Sequence, residues 1–210
     1  NQELLGYKNL KFNNGHEDPS FMREVLYGNM ASKYIPIAKA NFVHLHINNV
    51  SWGIYPNIQS VDKTFLKEWF LSNDGARFRA TTDDNSTTGG GPGGGGPGGG
   101  GPGGGGGGAN WGDGTAALNY LGSDTTTYQN YYSLKSSDIS DSWQKLVDAC
   151  ETLDNATNNN KLVTAAKLDI DKALWFLAAE NIFTDDDSYT MKGKMDYMTY
   201  YEPETDRLTP

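Results

Sequence analysis

The chain has 210 residues and a formal net charge of −9, and 17 of its 26 glycines fall between Gly89 and Gly108. Such a charge argues against a nucleic-acid protein and against adsorption to an anionic membrane, and no apolar run reaches the roughly 18 residues of a membrane span. The glycine block has no Gly-X-Y period, which excludes collagen, and five Trp, twelve Tyr and eight Phe exclude a wholly disordered chain.

In chain order, Asn13-Asn14-Gly15 reads as a turn and Asp18-Pro19 as the cap and first position of a helix. Phe21, Val25, Leu26 and Met30 recur at helical spacing, and Pro36 closes the element. Asn41 to Tyr55 alternates like a β-hairpin, with Asn48-Asn49 tolerant of positive φ at its turn. Val61 to Leu71 predicts a short amphipathic helix carrying Phe65, Leu66, Trp69 and Phe70, and Ala76 to Thr81 a strand.

Thr82 to Gly108 is polar and then nearly all Gly and Pro, with no side chains to bury. Glycine loses the most entropy on ordering, so this insertion is expected to be a flexible surface loop, with a domain linker as the alternative. Ala109 to Lys135 is mixed and aromatic-rich. Helices are predicted over 141–153, 159–166 and 169–183, each behind an Asp or Asn that can cap it. A strand over 196–201 and a Glu-Pro-Glu-Thr-Asp turn into another strand complete the chain. The expected class is α+β. It comprises an N-terminal α/β portion (1–81), the insertion (82–108) and a mainly helical portion (109–210).

Several chemistries find no motif. There is no phosphate-binding P-loop and no nucleophile elbow. His44 and His46 share one strand face, but zinc needs a third ligand and none stands at matching spacing, so they read as strand positions. Cys150, the one cysteine, falls on an apolar helix face and reads as a small buried hydrophobe. The strongest local chemistry is Asp185-Asp186-Asp187-Ser188-Tyr189 followed by Asp196-Tyr197. Carboxylates on a helix–loop–strand unit are what phosphoryl transfer uses to orient a hydroxyl and to hold Mg²⁺. Two adjacent carboxylates also raise each other's pKa, so Asp196→Asn is expected to be neutral or slightly stabilising.

Seven segments occur in one order along the chain. They are Asp18-Pro-Ser-Phe-Met-Arg-Glu24, Asn41 to Tyr55 followed by Val61-Asp-Lys-Thr-Phe-Leu66, Gly75-Ala-Arg-Phe-Arg79, Tyr120-Leu-Gly-Ser-Asp124, Tyr132-Ser-Leu-Lys135, Ala178-Ala-Glu-Asn-Ile182 and Asp187-Ser-Tyr189. Together they resemble the spore coat protein CotH kinase family. The resemblance implies an atypical protein-kinase-like fold that binds ATP and a divalent metal, Mg²⁺ or Mn²⁺, and phosphorylates Ser or Thr of a protein partner. Transferred residue by residue, the family's catalytic aspartate falls on Asp187, its metal-binding asparagine on Asp196 and its cofactor-binding glutamate on Gln59.

By the same resemblance, the ATP-contacting lysine precedes Asn1 and a second metal aspartate follows Pro210. The chain thus reads as an excerpt of a longer protein and is expected to be inactive alone. The family also implies an extracellular, envelope or coat-associated setting. The alternative is a degenerate kinase fold serving as a binding or scaffold module, motivated by Gln59, Asp196 and the Gly/Pro insertion. A purely structural coat protein is a third reading.

Overall fold

A computed structural model describes residues 3–16, 18–81, 115–157, 160–185, 188–190 and 194–210. The Gly/Pro insertion, Asp186 and Asp187 lie outside the described residues. The fold is α+β, with two antiparallel sheets and six helices among the described residues.

The first sheet has the order β1-β3-β2, with β1 at Lys11–Phe12, β2 at Ala40–Ile47 and β3 at Val50–Ile58. Asn48 and Asn49, both at positive φ (50° and 63°), make the two-residue turn that a right-twisted hairpin prefers. Helix α1 (Arg23–Ala31) begins later than Asp18. Phe21 has φ 58°, which no continuing helix accepts, and Asp18 takes the amides of Ser20 (3.0 Å) and Arg23 (2.9 Å) from outside the helix. Of the predicted stripe, only Val25 is buried; Phe21, Leu26 and Met30 are exposed.

The second sheet has the order β5-β4-β6-β7, with β4 at Ala76–Ala80, β5 at Tyr132–Ser136, β6 at Met198–Glu202 and β7 at Arg207–Thr209. Strands from both sides of the insertion therefore share one sheet. Ala76, Phe78 and Ala80 point to its buried face, where α4 (Ser142–Asp154) lays Leu146, Val147 and Cys150 over them. Trp143 meets Phe78 edge-on at 5.2 Å. Gly75, just before β4, has no room for a side chain: a Cβ there would lie 1.9 Å from the Tyr201 carbonyl oxygen.

The remaining helices are α2 (Lys63–Trp69), α3 (Thr125–Tyr128), α5 (Lys161–Lys167) and α6 (Ile170–Phe183). Asp62 caps α2 through the amides of Thr64 and Phe65, and Asp169 caps α6 through that of Lys172. Asp141 and Asn160 precede their helices without a side-chain cap bond. α6 is apolar nearly all round: Leu174 is exposed, and the residue it buries most deeply is Glu180. No helix among the described residues is long and apolar enough to cross a membrane.

Candidate active-site cleft

Side chains alternate across a strand, so Arg77 and Arg79 of β4 lie on the face opposite the core residue Phe78. Arg77 sits opposite Tyr200 of β6, and Arg79 opposite Met198. Next to this face is a cleft of about 280 Å³. Its lining combines apolar residues such as Ile35, Val61, Phe65 and Phe70 with the polar Glu180, Asp185, Ser188 and Asp196. Arg77 lines it as well; its guanidinium donates to the Val61 carbonyl, and its buried Nε has no partner. Desolvation pushes the Arg77 guanidinium down from its ordinary value, while Asp62 opposes this.

Asp196 stands two residues ahead of β6, where its amide donates to the Ala80 carbonyl (3.1 Å). Its φ of 61° is left-handed, a conformation that Asp and Asn tolerate better than most residues. Arg79 Nη2 lies 2.5 Å from Asp196 Oδ1, with both side chains partly solvated. The sequence reading set only negative charge beside Asp196. The structure sets a cation there, so Asp196→Asn removes an attraction as well as any repulsion.

Glu180 is the deepest acid of the cleft, at 2% exposure. Burial pushes its carboxyl up to about 7, and Asp185 adds to the rise; hydrogen bonds from Ser188 and Tyr27 work in the other direction. The Tyr27 hydroxyl of α1 reaches Glu180 Oε1 at 3.5 Å, and Glu180 Oε2 has no partner among the described residues. A carboxyl buried without a cation costs several kcal/mol when ionised, which makes it a mark of function more often than of packing.

Gln59 lies elsewhere. It follows β3 and faces a smaller cavity of about 170 Å³ with Tyr7 and Lys39. Its side chain accepts from the Lys39 amide (3.1 Å) and donates to Glu68 of α2 (2.9 Å). Glu68 also takes the Tyr7 hydroxyl (2.7 Å) and pairs with Lys39 Nζ (2.9 Å). Burial alone pushes Glu68 up, but these hydrogen bonds outweigh it and hold the carboxyl below its usual range. A carboxylate thus stands directly beside the Gln59 amide. The structure does not bring Gln59 and Asp196 to one cavity, and Asp187 lies outside the described residues.

The His44 and His46 rings sit 4.3 Å apart on the exposed hairpin, with His44 bonded to Ser51, and no metal-holding group of three or more ligands occurs among the described residues. Cys150 is fully buried, and its thiol is pushed up to about 12.

Over residues 1–209 the sequence matches the family described as CotH kinase protein. The chain belongs to the CotH kinase family. Its function is kinase-like in that general sense, and no curated protein matches it. In this CotH kinase chain, the sequence reading missed Arg77 and Glu180 as residues of the cleft, and Arg79 as the partner of Asp196. Glu180 had a signal, being the one charged residue between Lys172 and Asp185 in an otherwise apolar run. The arginines had none, because only pairing with β6 tells which face of β4 they share with Asp196.

Proposed function

We propose that the protein transfers the γ-phosphoryl group of ATP to a serine or threonine hydroxyl of a protein partner. The cleft supports this reading best, because its lining joins apolar side chains suited to a nucleobase with carboxylates and Arg77. Its volume of about 280 Å³ suits the base and sugar of a nucleotide.

A nucleotide-borne Mg²⁺ or Mn²⁺ asks for one or two protein carboxylates, with phosphates and waters as its other ligands. Asp196 fits that demand through Oδ2, since Oδ1 holds Arg79. Family resemblance gives it this role. When bound, the metal neutralises charge on the transferred group. Asp187 is the residue proposed to orient the acceptor hydroxyl and to take its proton. The hydroxyl oxygen bonds to the γ-phosphorus as the bond to the β-bridging oxygen breaks, and ADP leaves. Arg77 supplies positive charge in the cleft, and Arg79 pairs with its Asp196. Family resemblance offers Gln59 as a cofactor-binding position, but it lines a separate cavity with Lys39, so the nucleotide placed in this cleft is not held by it.

The test is phosphate transfer from γ-labelled ATP by the full-length protein. Asp187→Asn is expected to lower turnover at least 100-fold with the melting temperature unchanged. Retained transfer would remove Asp187 from the role, and failure of the full-length protein to bind ATP with Mg²⁺ or Mn²⁺ would favour a binding or scaffold module.

A further inference from the structure

Arg77 lines the cleft from β4 and is only partly reached by solvent. Its strand neighbour Arg79 pairs with Asp196, and Lys63 of α2 pairs with Asp138. Acids are not scarce in this chain, with 26 Asp and Glu against 17 Lys and Arg. Arg77 nevertheless has no ion pair among the described residues. Asp62, the acid whose charge reaches it, gives Oδ1 to the amides of Thr64 and Phe65 instead.

The guanidinium is fixed at one corner. Nη1 donates to the Val61 carbonyl and lies 3.8 Å from Met198 Sδ, while Nε is buried with no partner among the described residues. The edge left over is the Nε–Nη2 side, whose two parallel N–H groups suit the oxygens of a carboxylate or phosphate. A buried donor without an acceptor costs stability, and a desolvated cation without a counter-charge adds to that cost. Holding the Val61 carbonyl explains neither, because a neutral glutamine amide could donate to it as well. What arginine adds is a rigid fork with a permanent charge.

We propose that Arg77 is a phosphate-binding residue of the cleft, setting its Nε–Nη2 edge against two oxygens of one nucleotide phosphate. The inference rests on the reading of this cleft as the nucleotide site. Family resemblance gives Arg77 no role, since the lysine it expects on ATP precedes Asn1. A bound phosphate brings the acceptors and the counter-charge that the fold withholds. This contact belongs to the charged part of ATP and is absent from adenosine, so the two ligands separate a phosphate contact from a structural tether.

The experiment is calorimetric titration of the full-length protein with ATP and Mg²⁺, with adenosine and with tripolyphosphate. Arg77→Gln is expected to weaken ATP binding at least tenfold while adenosine stays within twofold of wild type. Arg77→Lys keeps the charge without the fork, so its ATP affinity should fall between those of Arg77→Gln and wild type. Unchanged ATP affinity in Arg77→Gln, or equal losses for ATP and adenosine, would overturn the proposal and leave Arg77 a tether. If Arg77→Gln does not fold, Arg77→Lys decides by the same comparison. Should the wild type bind neither ATP nor adenosine, the nucleotide reading fails separately. Tripolyphosphate then tests Arg77 by itself: binding that weakens at least tenfold in Arg77→Gln upholds the phosphate contact, and absent or unchanged binding overturns it.

Discussion

Replacing Glu180 by glutamine removes one titration from the folded state and leaves the side-chain shape in place. In the folded chain the carboxyl is raised from an ordinary 4.5 to about 7, with burial as the leading cause. The folded state therefore binds this proton more tightly than the unfolded state does. Below pH 4.5 both states hold it and the group contributes no slope. Between 4.5 and 7 the unfolded chain releases it first, so stability falls as pH rises, and above 7 the whole cost is present. A shift of this size is worth about 3 kcal/mol at 1.36 kcal/mol per pKa unit, and the near-complete burial of Glu180 leaves little solvent screening to reduce it. For a chain of this length that corresponds to roughly 6–12 °C in Tm. Thermal or urea unfolding of wild type and Glu180→Gln at pH 5, 6, 7 and 8 would show it as a difference curve. The groups common to both proteins, such as Asp206, cancel in that difference. Stability of Glu180→Gln relative to wild type should rise steadily from pH 5 to 8. Parallel curves would show that Glu180 ionises as a solvated carboxyl does, and the account of its burial would be wrong.

Two further outcomes follow from backbone geometry. Gly75→Ala should destabilise the fold by about 2–3 kcal/mol, because the added Cβ meets the Tyr201 carbonyl and must push β4 from β6; a urea midpoint equivalent to less than 0.5 kcal/mol would show that the contact relaxes freely. Asp196→Asn should cost about 0.5 kcal/mol or less, since it forfeits only a half-exposed ion pair with Arg79 and keeps a residue suited to φ 61°. Asp196→Ala should cost roughly 1 kcal/mol more, and equal unfolding midpoints for the two variants would remove the backbone argument.

The elements that the sequence shows well are those whose signal is local. The Asn48-Asn49 turn carries its own conformational preference, and the hairpin around it has the boundaries alternation predicts to within three residues. The start of α1 is different. Asp18-Pro19 is a good helix opening in isolation, but the chain instead uses Asp18 to gather the Ser20 and Arg23 amides and turns through Phe21 before the helix begins. Two competing local solutions were available, and composition does not rank them. The apolar stripe of α1 misled for a related reason: helical spacing marks a face, and only the packed partner decides whether that face is covered.

The cleft was legible in its acids and not in its cations. Runs of Asp stand out in a sequence because they are contiguous, whereas Arg79 meets Asp196 across 117 positions by the register of β4 on β6. That register decides the electrostatics of the cleft. With Arg79 absent, Asp196 would add to the repulsion already felt near Asp185 and Glu180. With Arg79 present it is a paired carboxylate, one oxygen engaged and one available. Such a carboxylate attracts a cation less strongly than a bare one does. Glu180 is deeper, with no salt-bridge cation among the described residues, and burial pushes its carboxyl up rather than down. The difference between these two acids, one paired at the rim and one buried, is set by strand pairing and helix packing, and the residues around each in the chain do not contain it.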